Sequence, residues 1–130
     1  MFDKALIEAA HKACENSHAP YSKASRGAAV LDSDGRIYSG CTVELANYSG
    51  TVHAEQVAIA SAIASGAKKL VRLALYPADY PCGICRQFMR EFNPEFVVVY
   101  QQDGEIRTVT MDELYPNVFG RENLQLPPTL

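Results

Sequence analysis

With 130 residues, 48% of them hydrophobic and 21% charged, the chain has the size and composition of one soluble globular domain with its own core. A formal net charge of −3, with no basic block or Lys/Arg stripe, argues against a polynucleotide surface but leaves room for a small-molecule pocket. The longest apolar run, 96–100, is too short to cross a bilayer, and Met1-Phe2-Asp3-Lys4 lacks a signal-peptide pattern, so the expected setting is the cytoplasm, away from membranes.

In chain order, residues 3–17 predict a helix with an apolar face of Leu6, Ile7, Ala10 and Ala13, stopped by Pro20. Segments 27–31 and 36–41 flank Asp32-Ser33-Asp34-Gly35, a hairpin turn between two strands. A loop over 45–52 leads to an alanine-rich helix over 53–65, with Gly66 as its C-cap. That helix is apolar on nearly all sides, which predicts burial against a sheet on one side and more protein on the other. A third strand spans 70–76, and a short helix over 83–92 ends at Asn93-Pro94. Strands over 96–100 and 106–109 follow, joined through Gln101-Gln102-Asp103-Gly104, then a short helix over 111–115 and a tail with Pro116, Pro127 and Pro128. The order gives an α/β sandwich around a mixed sheet of about five strands, in one domain spanning 1–130 without repeats or linkers.

Two short motifs carry the chemistry. His53-Ala54-Glu55 opens the long helix, and 26 residues after the glutamate comes Pro81-Cys82-Gly83-Ile84-Cys85. One imidazole, two thiolates and a spare carboxylate are what a hydrolytic zinc deaminase requires. His53, Cys82 and Cys85 would hold Zn²⁺ and leave the fourth tetrahedral position to a water made acidic by the metal. Both motifs lie at helix N-termini, whose dipoles and unpaired amides favour thiolates. Glu55, costly to bury in an apolar helix without a function, is the candidate proton carrier.

Plainer readings exist for each group. The Cys-x-x-Cys pair could be a redox couple, although its proline precedes the pair and the intervening residues do not resemble a thioredoxin-like motif. It could be half of a structural zinc site, for which Cys41 and His11 are available as a fourth ligand without a motif around them. Glu55 could be a helix-terminus charge favoured by the dipole. Cys14 and Cys41 read as small buried thiols in a reducing compartment, not as disulfide partners.

At these residues the chain resembles the cytidine deaminase family. Tyr21-Ser22-Lys23, Gly27-Ala28-Ala29 and Asp34-Gly35-Arg36-Ile37-Tyr38-Ser39-Gly40-Cys41 are similar to its first strand pair, and Pro81 to Gln87 to its second zinc helix. Glu113-Leu114-Tyr115-Pro116 with Phe119-Gly120 resembles its closing segment, so the likeness spans roughly 5–124. The resemblance implies a three-layer fold, zinc, and hydrolysis of cytidine and deoxycytidine to the uracil nucleosides and ammonia. It further implies that Glu44 and Tyr48 belong to the nucleoside-binding loop and that the Ala54 amide holds the 2-oxo group. Members of this length form the homotetrameric branch with shared active sites. That places Tyr48 and Phe119 near a subunit boundary, with Phe119 closing a neighbour's pocket or packing in the core.

The departures from the pattern are specific. Short family members hold zinc with three cysteines and follow the glutamate with arginine, where this chain has His53 and Gln56. Three thiolates leave Zn²⁺ at a formal charge of about −1, whereas His53 brings the sum to zero and removes the need for a cation. Thr42 and Leu45 stand where the family has asparagines, and Ala24-Ser25-Arg26 replaces an aromatic-proline-valine stretch lining the pyrimidine pocket. Ala24 opens space, and Arg26 adds positive charge or is a solvated edge residue. Tyr-Ser-x-Ala-Ser also resembles blasticidin S deaminase, which admits a bulkier or modified nucleoside as an alternative substrate. Glu44 favours the ordinary nucleosides.

Overall fold

The computed structural model describes residues 2–124, so Met1 and the tail prolines Pro127 and Pro128 lie outside the described residues. Five strands form one mixed sheet in the order β2-β1-β3-β4-β5, with β1 at Gly27–Asp32, β2 at Ile37–Cys41, β3 at Leu70–Tyr76, β4 at Val97–Gln102 and β5 at Glu105–Thr110. Helices α1 (Phe2–Cys14), α2 (Ala54–Ala64), α3 (Gly83–Phe92) and α4 (Met111–Leu114) cover its two faces. Within this sheet β3 and β4 pair in parallel and the other neighbours antiparallel, and α3 is the crossover between β3 and β4.

The layers follow from the alternation of side chains along the strands. Leu6, Ile7 and Ala10 of α1 pack on Ala29, Leu31, Ala74 and Val99, which all point to one face. Ala58, Ile59 and Ala62 of α2, Met89 of α3 and Met111 of α4 pack on Ala28, Val30, Leu73 and Val98, which point to the other. Both faces of β1 are covered, so all six of its residues are buried. Burying a side chain such as Ile59 contributes about 2 kcal/mol. The expected α/β sandwich is thus a three-layer one.

Turn chemistry sets the strand ends. The Asp32 carboxylate accepts the amides of Asp34 and Arg36, both at 2.9 Å, and Gly35 takes φ +85°. The second hairpin is tighter than expected, because Gln102 pairs with Glu105 and only Asp103 and Gly104, both at positive φ, form the turn. Gly66 closes α2 in a Schellman motif, with Ala67 N–H bonded to Ala62 O and Gly66 N–H to Ile63 O.

Three expectations need correction, and one element was not expected. Helix α1 ends at Cys14, well before Pro20, in i→i−3 bonds from Glu15, Asn16 and Ser17 that tighten its last turn. Cys14 and Cys41 are half-buried, not buried. The outer side of α2 is exposed in the single chain, with Ile63 at 45% exposure beside exposed Ala60 and Ala64. A short 3-10 turn at Arg121–Leu124 has no counterpart in the sequence reading.

Candidate metal centre and adjoining cavity

Because β1 runs antiparallel to β2 and β3, its start lies at the same sheet end as their finishes. The starts of α2 and α3 meet there. His53 is the N-cap of α2, with extended backbone that sends the chain across the helix end, and the Gln56 Oε1 accepts its amide at 2.9 Å. Gln56 therefore braces the backbone of a candidate ligand. Cys82 is the N-cap of α3 and Cys85 lies in its first turn.

The three side chains converge. Cys82 Sγ lies 3.3 Å and Cys85 Sγ 3.4 Å from His53 Nδ1, and the three donor atoms all fall within 4.8 Å of one another. Bonds of about 2.3 Å to sulfur and 2.0 Å to nitrogen at a tetrahedral angle put such donors roughly 3.5 Å apart. The donor set and its spacing fit Zn²⁺. Among the described residues no fourth donor of these types joins the group.

Electrostatics set the protonation of the donor group. Burial, then the Glu55 carboxylate and the Cys82 sulfur, push the Cys85 thiol far above its ordinary range. Without a cation beside it, desolvation keeps Cys85 protonated despite its place at the helix N-terminus. A bound cation must displace that proton. Glu55, in the first turn of α2 two residues after His53, is buried with 8% exposure.

Arg86 braces the cysteine loop. Its Nε donates to the Pro81 carbonyl at 2.6 Å, one residue before Cys82, and its Nη1 donates to the Leu114 carbonyl at the end of α4. This planar fork ties both segments to α3.

Beside the three donors lies a cavity of about 280 Å³. It is lined by His53, Glu55 and Cys82 from the metal-bearing segments, by Ser22, Ala24, Arg26, Thr42, Glu44 and Thr51, and by Leu75, Pro77, Asp79 and Tyr80 from the end of β3 and the loop after it. The Glu44 Oε1 accepts the amides of Tyr21 at 2.9 Å and Ser22 at 3.0 Å. The Ser22 hydroxyl, then its amide, hold Glu44 below the ordinary carboxylate range in spite of its burial, so it is an ionised acceptor. Arg26 is not a free cation, since its Nη1 sits 3.0 Å from Asp79 Oδ2.

Three expected contacts lie off the lining. Tyr48 is exposed at φ 52°, edge-on to Tyr21. Phe119 is exposed, and its carbonyl accepts from Gln87 Nε2 at 2.9 Å. The Ala54 side chain is fully buried, while its amide, in the first turn of α2, has no intrahelical acceptor. Asp79 and Tyr80 were missed. The signal was the short loop bracketed by Pro77 and Pro81, which must lie beside Cys82.

Residues 1–101 match the family model described as the cytidine and deoxycytidylate deaminase zinc-binding region. A cytidine deaminase from Sporosarcina psychrophila is 40% identical over 126 residues, covering 92% of each chain. One from Halalkalibacterium halodurans is 37% identical, covering 92% of this chain and 95% of the relative. The crystal structure of cytidine deaminase from Burkholderia pseudomallei superposes with a TM-score of 0.83 at 38% identity, over 92% of this chain and all of that one. The chain belongs to the cytidine and deoxycytidylate deaminase family. It is a zinc-dependent hydrolase, and the His/Cys/Cys group is its candidate zinc site.

Proposed function

We propose that the chain, as one deaminase domain, hydrolyses cytidine and deoxycytidine to uridine or deoxyuridine and ammonia. The observation that carries this reading is a three-donor zinc site, open on one side, with buried Glu55 next to it and a small-ligand cavity in front. His53, Cys82 and Cys85 would hold Zn²⁺, which would supply an activated water for attack on C4 of the cytosine ring. Glu55 accepts a proton from the attacking water, protonates the ring nitrogen N3 and passes a proton to the departing amine. The Ala54 amide donates to the 2-oxo group. Glu44 accepts a hydrogen bond from a sugar hydroxyl, Thr42 adds a short polar contact, and Ala24 and Arg26 border the substrate.

Ammonia release from a panel of cytidine, deoxycytidine, cytosine, blasticidin S and purine nucleosides tests the reading. Turnover of cytidine or deoxycytidine is expected. Turnover of neither, beside efficient turnover of another compound, would move the assignment to a different nucleoside. A bulkier or modified aminopyrimidine nucleoside is the second reading, favoured by the small Ala24 on the cavity wall. A closed structural zinc site predicts four protein donors by X-ray absorption and no turnover of any compound.

The assembly consistent with this reading is a homotetramer. The exposed apolar side of α2 supports it, and Tyr48 and Phe119 are exposed aromatic residues available at a boundary. Full activity of a monomer in light scattering at micromolar concentration would refute shared active sites. The setting proposed is the cytoplasm, where four free thiols persist; no helix among the described residues is long and apolar enough to cross a membrane. Polynucleotides are not substrates on this reading, and a cytosine-containing single strand should release no ammonia.

A further inference from the structure

We propose that Arg26 and Asp79 form a charge-neutral donor platform that makes the cavity select unphosphorylated nucleosides over nucleoside phosphates. This rests on the deaminase reading above and adds the specificity-determining pair.

The geometry starts in the sheet. Gly27 pairs with Cys41, and the Thr42 amide donates to the Arg26 carbonyl at 3.1 Å, so Arg26 stands opposite Thr42 just beyond the paired strands. Opposed residues of an antiparallel pair send their side chains to the same face. Both line the cavity. Asp79 reaches the same cavity from the loop after β3, 53 positions away in the chain, and its two oxygens have separate tasks. Oδ1 accepts the Tyr80 amide at 2.8 Å, which fixes the carboxylate, while Oδ2 meets Arg26 Nη1 at 3.0 Å.

Charge decides what this cavity accepts. The guanidinium keeps five N–H donors, of which the recorded ion pair uses one nitrogen, but its charge is cancelled by Asp79. Glu44, on the same cavity, is buried and ionised. A phosphate would therefore meet two carboxylates and a guanidinium already paired. A neutral sugar hydroxyl can accept from Arg26 and donate to Glu44 without that repulsion. At 42% and 50% side-chain exposure the ion pair adds little to folding, so its placement on the cavity is a matter of recognition and its removal is tolerable.

The test compares kcat/KM for cytidine and cytidine 5′-monophosphate, by ammonia release from zinc-loaded wild type, Asp79→Asn, Asp79→Ala and Arg26→Gln. Wild type is expected to favour cytidine. Both Asp79 variants leave Arg26 uncompensated and should shift the ratio toward the monophosphate about tenfold. That shift should lie in KM and shrink with added salt. Arg26→Gln should raise KM for cytidine without that shift. Equal zinc content establishes that the metal site is intact. A shift of less than threefold in both Asp79 variants, or a wild type that prefers the monophosphate, overturns the platform and leaves the deaminase reading standing. Release from no compound overturns both.

Discussion

Gly40 of β2 lies in backbone contact with Ala58 of α2, so closely that a Cβ on the glycine would fall 2.4 Å from the Ala58 nitrogen and 2.9 Å from the Ala54 carbonyl. The missing side chain lets α2 settle onto the edge strand. That contact sets the height of His53 and Glu55 above the sheet end from which Thr42 and Glu44 emerge.

Gly40→Ala is expected to lift the start of α2 and destabilise the fold by about 2 kcal/mol or more, the range for overpacking a close contact. Thermal or denaturant unfolding measures the loss. Zinc content should fall with it, and an unchanged midpoint would refute the tight contact.

Glu55→Gln keeps the shape and burial of the side chain but removes its capacity to carry protons. Zinc content should match wild type while kcat drops by roughly 10³-fold, within the span of general acid–base catalysis. Retention of full turnover would remove Glu55 from the proton relay.

Arg86→Gln breaks the fork that joins the Pro81 and Leu114 carbonyls. Loss of this outer support should weaken zinc retention by roughly tenfold, at the low end for groups behind metal ligands. Competition with a chromogenic chelator measures it. Lysine at this position cannot reproduce the two-pronged contact and should restore little.

Acid stability has a defined contributor in Asp32. Burial alone would raise its carboxyl, but the Arg36 and Asp34 amides and the Tyr38 hydroxyl together hold it below the ordinary value. A depressed folded-state value stabilises above the unfolded range near about 3.9 and is lost as pH falls through the folded value. Asp32→Asn should therefore lower stability at pH 7 and flatten the decline in acid. Melting temperatures between pH 7 and pH 3 provide the comparison.

The parts of the site legible in the sequence are those set by local spacing. His53 and Glu55 flank the start of one helix, Cys82 and Cys85 that of another, and both motifs retain their meaning without knowledge of the rest of the chain. The strand pattern was equally local, with Asp32 and Gly35 marking one turn and Asp103 and Gly104 the other. What escaped was long-range pairing. Arg26 read as a positive charge because its partner Asp79 is reached only through the β1–β3 pairing. The burial of Cys85 was likewise out of reach, because it depends on α2 and α3 meeting. The all-round apolarity of α2 described its composition correctly, but a single chain covers only one side.

Cys82 and His53 lie 29 positions apart on the starts of two separate helices. A metal bound between them acts as a reversible crosslink that only the folded chain can form. Each tenfold increase in free zinc above the dissociation constant then adds about 1.4 kcal/mol to the folding equilibrium. Withdrawing zinc removes that contribution, so the stability of the fold depends on the free metal concentration as well as on its own packing.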